Sequence, residues 1–328
     1  MRAPEFWARP PGLISRLLAP AGWCYGVGAR FRLALASPRK APVPVVCVGN
    51  VVAGGAGKTP VALALGRRMQ ALGLKVHFLG RGYGGDAAGA VRVDPARHDA
   101  GYVGDEALLL ARLAPTWIAR DRARAIEPAA AGADVIVMDD GFQDPAVAKN
   151  LSLVVVDGDF GFGNGCVMPA GPLREPIGRG LARAQALVIV GEDRAGIRAE
   201  AAVRARRLPV LDAALEPGPE ARRLVGKTVI AFAGIGRPGK FFDTLRRIGC
   251  DVAAAHSFPD HHRYSAADIA RLKAEAARRK ATLVTTEKDA VRLRREDRDG
   301  IEVLTVALKW SDEAALDAIV KPLFDGRA

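Results

Sequence analysis

The sequence predicts an α/β protein in two units, and three observations carry that expectation. Short apolar, β-branched runs alternate with stretches of helical spacing from residue 41 onward, the rhythm of a sheet covered by helices. One of these runs leads into a glycine-rich loop that opens a helix. The rhythm breaks over 209–223 (PVLDAALEPGPEARR), where prolines, Gly218 and charges read as a linker, and it restarts at 228.

Residues 43–48 form the first expected strand, followed by the loop and a helix over 60–72. A strand over 75–79 runs into the turn 80–85 (GRGYGG). Further strands are expected at 135–138, 151–156 and 187–190, since runs so short and apolar suit strands buried on both faces. After the linker come a strand at 228–233, a helix at 238–248, a strand at 251–255 and a helix at 265–280. Strands at 282–285 and 301–307 and a helix at 312–324 close the chain.

With 328 residues, 49% hydrophobic and 26% charged, the chain supports ordinary cores and excludes wholesale disorder. Cys24, Cys47, Cys166 and Cys250 lie far apart with no C-x-x-C pair, which speaks against a disulfide framework or zinc site and for a reducing compartment. The net charge of +12 is unevenly placed: residues 1–40 hold seven basic residues against Glu5 alone. Such a segment attracts a polyanion or an anionic membrane. It also carries Phe6, Trp7, Leu13, Ile14, Leu17, Leu18, Trp23, Tyr25 and Phe31. Its longest uncharged apolar run, 17–29, falls short of the roughly 20 residues that span a bilayer. Trp, Arg and apolar residues together suit a helix lying in the membrane interface; the alternative is a terminal helix packed on its own domain.

The stretch VVCVGNVVAGGAGKTP (45–60) ends on Gly57-Lys58-Thr59, as the phosphate-loop pattern G-x-x-x-x-G-K-[ST] requires, but Val52 stands where the first glycine belongs. A phosphate loop needs backbone N–H groups curled toward an anion at a helix N-terminus. The expected nucleotide cradle is Val52, Ala53, Gly54, Gly55, Ala56, Gly57, Lys58 and Thr59. Lys58 reaches the β/γ-phosphates and Thr59 the Mg²⁺ side. Ala53 occupies the place of the second lysine of partitioning-type ATPases, and Thr286-Glu287-Lys288-Asp289 is no guanine-binding N-K-x-D. In VIVMDDGFQD (135–144), Asp139 and Asp140 end an apolar strand where a Walker-B acid binds Mg²⁺.

Other stretches are hard to explain as scaffold. GRGYGG holds Arg81 and Tyr83. VGDEALLLARL (103–113) puts Asp105 and Glu106 ahead of a helix, as a capping pair or a functional one. GFGNGCVMPAGPLREP (161–176) is a long irregular loop ending in Arg174-Glu175. AGIGRPG (233–239) contains a literal G-x-G-x-x-G, read as a decoy because the next strand runs into Ala255-His256 with no acid. FPDHHRY (258–264) clusters Asp260, His261 and His262, as a metal site or, preferably, an acid–base pair. TTEKDAVRL (285–293) reads as a contact surface or a cap.

Taken in their order along the chain, the eight motifs, covering about residues 43–293, closely resemble the tetraacyldisaccharide 4′-kinases of lipid A biosynthesis. The resemblance implies two α/β/α domains joined by a two-stranded linker: a basic N-terminal segment (1–40), a P-loop kinase domain (41–212), a linker (213–226), a smaller α/β domain (227–308) and a returning helix (309–328). It implies transfer of the ATP γ-phosphoryl group to the 4′-hydroxyl of a tetraacylated disaccharide 1-phosphate. Lys58 and Arg174 then serve as charge clamps, Asp105 as base and one of His261 and His262 as its assistant, His261 being favoured and His262 left in support. Thr59, Asp139, Asp140 and Glu175 are implied around Mg²⁺, with Arg81, Tyr83, Glu106 and Gln143 in support. Family members often carry Ser or Thr at the Val52 position, so the missing glycine is a family trait. Ala107 and Gly80 replace a frequent proline and serine. The implied setting is a monomer on the cytoplasmic face of the inner membrane, with no nucleic-acid partner. A regulatory P-loop NTPase and a nucleic-acid-dependent ATPase are the competing readings.

Overall fold

The computed structural model describes residues 4–204 and 208–325. Its strands are β1 (Val45–Gly49), β2 (Val76–Gly80), β3 (Val91–Arg92), β4 (Thr116–Ile118), β5 (Val135–Asp139), β6 (Leu151–Asp157) and β7 (Ala186–Val190). They continue with β8 (Val210–Pro217), β9 (Thr228–Ala233), β10 (Asp251–Ser257), β11 (Thr282–Thr286), β12 (Ile301–Leu304) and β13 (Val306–Trp310). The larger sheet has the order β13-β8-β7-β6-β1-β5-β2-β4-β3, and the smaller β10-β9-β11-β12. Among the described residues only the edge strands β3 and β13 pair antiparallel to their neighbours.

The centre of the large sheet follows from composition. Val45, Val46, Cys47 and Val48 are wholly buried because helices cover both faces. On one face Val46, Val48 and Phe78 meet Leu65 and Met69 of the helix Lys58–Ala71; on the other, Cys47, Leu79 and Met138 meet Ile126 and Leu181. The chain lays β2, β4 and β5 on one side of β1 and then crosses to the other side for β6. The loops after β1 and β5 therefore share the crevice at the switch point of a parallel sheet.

Two sequence expectations are corrected. Residues 210–217, inside the expected linker, are strand β8, parallel to β7 in the large sheet. The expected strand 301–307 is two strands in two sheets, because the chain leaves β12 at Thr305 and β13 pairs with β8. The two crossings lie side by side, with the Gly218 N–H donating to the Thr305 carbonyl at 2.9 Å. This ribbon returns the helix Glu313–Val320 to the large sheet, where Leu316 and Val320 join the core and Asp317 takes a two-pronged hydrogen bond from Arg68 at 2.8 and 2.7 Å.

The helix Leu13–Ala34 inverts the usual pattern. Its buried residues are Ser15, Gly22 and Gly26, while Leu13, Leu17, Trp23 and Phe31 are 61–74% exposed. The small residues seat it on the 161–176 loop: a Cβ on Gly22 would stand 2.7 Å from the Val167 carbonyl oxygen, and Asn164 donates to Ser15 Oγ at 3.1 Å. Among the described residues no helix is long and apolar enough to cross a membrane.

Candidate active site

The loop after β1 curls as a phosphate loop does. Gly54 and Gly57 adopt φ of 116° and 84°, the left-handed side that only glycine takes without strain, and Gly57 caps the helix that Lys58 and Thr59 begin. Val52 is different. Its side chain is 5% exposed within the core, and its backbone bridges Leu173 of the 161–176 loop. The Ala53 N–H donates to the Pro172 carbonyl at 2.7 Å, and the Arg174 N–H to the Val51 carbonyl at 2.8 Å. The expected cradle is thus corrected at its start. Val52 is a packing residue and the Ala53 N–H is already bonded, so Gly54 to Thr59 are left to face an anion. The broken pattern is the seat of a second loop.

That seat delivers Arg174 to the acidic end of β5. Asp140 lies 3.6 Å from Lys58 Nζ and accepts from Arg174 at 3.0 Å; burial works to raise its pKa, but these two cations hold it down at about 2. Asp139 accepts from Thr59 Oγ1 at 2.9 Å. Burial first, then Glu106 and Asp140, push the Asp139 carboxyl up to about 7. Its other oxygen, Oδ1, is buried without a hydrogen-bond partner. An orphaned carboxylate oxygen beside a threonine hydroxyl fits a Mg²⁺ ion, which takes one or two protein oxygens and fills its shell with phosphate and water. Glu175 does not fit that role. Arg183 holds both its oxygens at 2.5 and 2.9 Å and Gln143 Nε2 donates to one at 3.1 Å, so three of its roughly four lone-pair sites are already taken by protein donors. Gln143 in turn donates to the Asn50 carbonyl and accepts from Arg174, tying both loops together.

The smaller sheet supplies the other wall. Asp105 opens the helix Asp105–Ala111 after Gly104, whose φ is 87° and where a Cβ would stand 2.5 Å from the Tyr83 carbonyl oxygen, so no side chain fits. Asp105 is 3% exposed, yet burial, which would raise its pKa, is outweighed by the hydrogen bond to His261 and the charges of Lys288 and Arg292, so the carboxyl is held well below its usual range. Its Oδ1 accepts from the Glu106 N–H; its Oδ2 lies 3.0 Å from His261 Nδ1 and accepts from Arg292 Nε at 2.6 Å. The His261 ring meets Tyr83 edge to face at 5.1 Å, and its backbone φ is 58°. Asp140, with φ 48°, is likewise left-handed, so two of the three such non-glycine residues among the described ones stand here.

His262 turns away, toward Asp268 at 3.4 Å and the Phe258 ring. Glu106 pairs with Lys288 at 3.0 Å. Arg81 and Tyr83 line a cavity of about 470 Å³ together with Asp139, Asp140, Arg174 and Tyr25 of the N-terminal helix. Sequence reading missed Arg122, whose guanidinium holds the carbonyls of Asp139 and Asp140, and Arg292 and Lys288. The TTEKDAVRL stretch is both things expected of it. Thr286 caps with its hydroxyl accepting from the Asp289 N–H, and Lys288 and Arg292 reach across to Glu106 and Asp105.

A phosphate loop at the switch point of a parallel sheet, bonded to an Asp-Asp strand end and accompanied by a buried carboxylate–histidine pair from the two sheets, defines a P-loop phosphotransferase. The comparisons narrow that class. The sequence model of the family described as "Tetraacyldisaccharide-1-P 4'-kinase" matches residues 14–325, and the chain belongs to that family. Among proteins named tetraacyldisaccharide 4'-kinase, one from Paramagnetospirillum magneticum is 55% identical over 99% of this chain and 98% of its own. Another, from Rhodospirillum centenum, is 54% identical over 100% and 98%. A crystal structure of the Aquifex aeolicus LpxK in complex with ATP superposes with a TM-score of 0.76 at 26% identity, covering 95% of this chain and all of that one.

Proposed function

We propose that the chain catalyses the reaction of its family, transfer of the ATP γ-phosphoryl group to the 4′-hydroxyl of tetraacyldisaccharide 1-phosphate in lipid A biosynthesis, with the Asp105–His261 pair taking up the hydroxyl proton. The observations that carry this reading are a buried Asp105–His261 pair joined between the two sheets and a phosphate loop whose Lys58 lies 3.6 Å from the Asp140 carboxylate.

A sugar hydroxyl is a weak nucleophile, and a positioned acceptor for its proton is what the protein must add. Both Asp105 oxygens are occupied and the residue is buried, whereas His261 is partly open. With Nδ1 donating to Asp105, the His261 Nε2 carries the lone pair. It stands 3.8 Å from Asp260, too far for a hydrogen bond. The proton goes to Nε2, and Asp105 orients the ring and stabilises the imidazolium. This exchanges the two roles implied by the family resemblance. Lys58, Arg174 and the N–H groups from Gly54 to Thr59 balance the charge on the transferring group. Thr59 and Asp139 would hold Mg²⁺, which supplies further charge neutralisation and phosphate alignment. Asp140 holds Lys58 and Arg174 in place.

The exposed face of the N-terminal helix lies in the membrane interface, with Trp23, Leu17 and Phe31 in the lipid boundary. This face is continuous with the site, because Tyr25 and Arg32 line the same cavity as Asp139 and Arg32 donates to the Gln143 carbonyl at 3.0 Å. A lipid acceptor thus reaches the crevice from a cytoplasmic membrane surface. The helix's small-residue face is already covered by the chain's own loop, which supports a monomer.

The test is transfer of labelled γ-phosphate from ATP to the lipid acceptor in detergent micelles, with Lys58→Ala as control. A labelled bisphosphorylated lipid, absent in the variant, is expected; labelled free phosphate with no lipid product would sink the reading in favour of a regulatory ATPase.

A further inference from the structure

We propose that the cleft walled by Arg112, Arg295 and Arg298 binds a phosphate monoester, held jointly by the two α/β units. The cleft is a second cavity, of about 500 Å³, on the other side of Tyr83 from the metal-side cavity. Tyr83, His98 and Arg112 line it from the large-sheet unit, Arg263, Arg295 and Arg298 from the small one.

Its cations are all arginines, and they converge without enough acid to match them. Asp99 and Asp105 are the carboxylates on its wall; the first accepts from the Tyr102 N–H, and the second is bound to His261 and Arg292. Arg112 is paired with Glu287 at 2.7 Å. Among the described residues neither Arg295 nor Arg298 has an ion pair. Each is instead pinned by a backbone carbonyl, Arg295 Nη2 donating to Ala96 at 2.9 Å and Arg298 Nε to Leu293 at 3.1 Å. Burial and then the charges of Arg112 and Arg295 depress the Arg298 pKa, which registers the mutual repulsion. Two anchored guanidiniums with free N–H forks match the charge and the oxygens of a phosphate dianion better than a single carboxylate would.

The Ala96 contact of Arg295 and the Gly84 contact of Arg263 already cross between the units. An anion bound there ties the units together beside the Asp105–His261 pair. The ligand has two possible sources, a soluble phosphate ester or the phosphate that the lipid acceptor already carries. The second source rests on the function proposed above; the binding itself does not.

The experiment titrates inorganic phosphate, at constant ionic strength, into the Lys58→Ala protein, whose phosphate loop is disabled, and follows binding calorimetrically. Adding Arg295→Gln and Arg298→Gln together is expected to weaken phosphate binding at least tenfold. Arg→Lys at both positions keeps the charge but loses the fork, and is expected to recover only part of it. Equal binding with and without the Gln pair would overturn the proposal. With Lys58 intact, a raised KM for the lipid at unchanged kcat in the Gln pair assigns the cleft to the acceptor's own phosphate. An unchanged KM beside lost phosphate binding assigns it to a soluble ester. Absence of any phosphoryl transfer to lipid would count against the proposed function and leave the binding result standing.

Discussion

His261 Nδ1 lies 3.0 Å from Asp105 Oδ2, although the two residues are 156 positions apart and hang from different sheets. A proton acceptor that is whole only when two units meet should fail as a whole. Asp105→Asn and His261→Gln are each expected to lower kcat by roughly 10²–10⁴, the range for a lost general base. The double variant should be little slower than either single one, because the residues act as one device. Turnover at saturating ATP and lipid checks this; a fully multiplicative loss would separate the two roles.

Arg292 grips Asp105 from inside the smaller unit, 5% exposed and also bonded to Asp289. Removing this cation raises the Asp105 pKa, since the ionised form loses a favourable charge. Asp105 and His261 titrate as one pair, so in Arg292→Gln the acid limb of the kcat–pH profile that this pair sets is expected to move to higher pH, with ATP affinity unchanged. Arg292→Lys should restore part of the shift. A profile that merely scales down would mean a structural role alone.

Restoring the missing glycine should do harm. Val52 is a core residue bridging Leu173. Val52→Gly removes buried methyls and adds backbone freedom, and is expected to cost roughly 2–3 kcal/mol of stability by urea unfolding. A neutral or stabilising result would make Val52 a relic of the loop and not the seat of 161–176.

Arg68 and Asp317 fasten the returning helix to the helix of the phosphate loop. The hydrogen bond from Arg68, outweighing burial, lowers the Asp317 pKa from the ordinary carboxylate range to about 2. A depressed carboxyl stabilises the fold above its unfolded pKa and loses that contribution as pH falls through the folded value. The difference in Tm between the parent and Asp317→Asn should thus be full near neutrality and shrink between about pH 4 and pH 2. A constant difference down to pH 2 would remove the pair from the account.

Leu17 and Trp23 are 72% and 71% exposed on the N-terminal helix. Leu17→Glu with Trp23→Glu should weaken binding to anionic vesicles by at least about tenfold, through lost apolar burial and added repulsion. Cosedimentation measures it, and unchanged binding would place the membrane contact elsewhere.

The sequence by itself determined the alternation of strands and helices, the phosphate loop and its lysine, the Asp-Asp strand end and, through eight ordered motifs, the family. Those features are local: a strand buried on both faces is written as an apolar run, and a loop that must curl toward an anion is written in glycines. Strand β8 was hidden because it sits second from the sheet edge and mixes polar residues into its run, so 210–217 resembles a linker. Only the tertiary structure decided what Val52 does, that Glu175 belongs to Arg183, that His261 rather than His262 meets Asp105, and that Arg122 and Arg292 hold the site. Each of these depends on which side chains meet across distant segments. A charged residue reads the same in sequence whether it is solvated or buried against a partner, and only the packing of one unit against the other sets its environment.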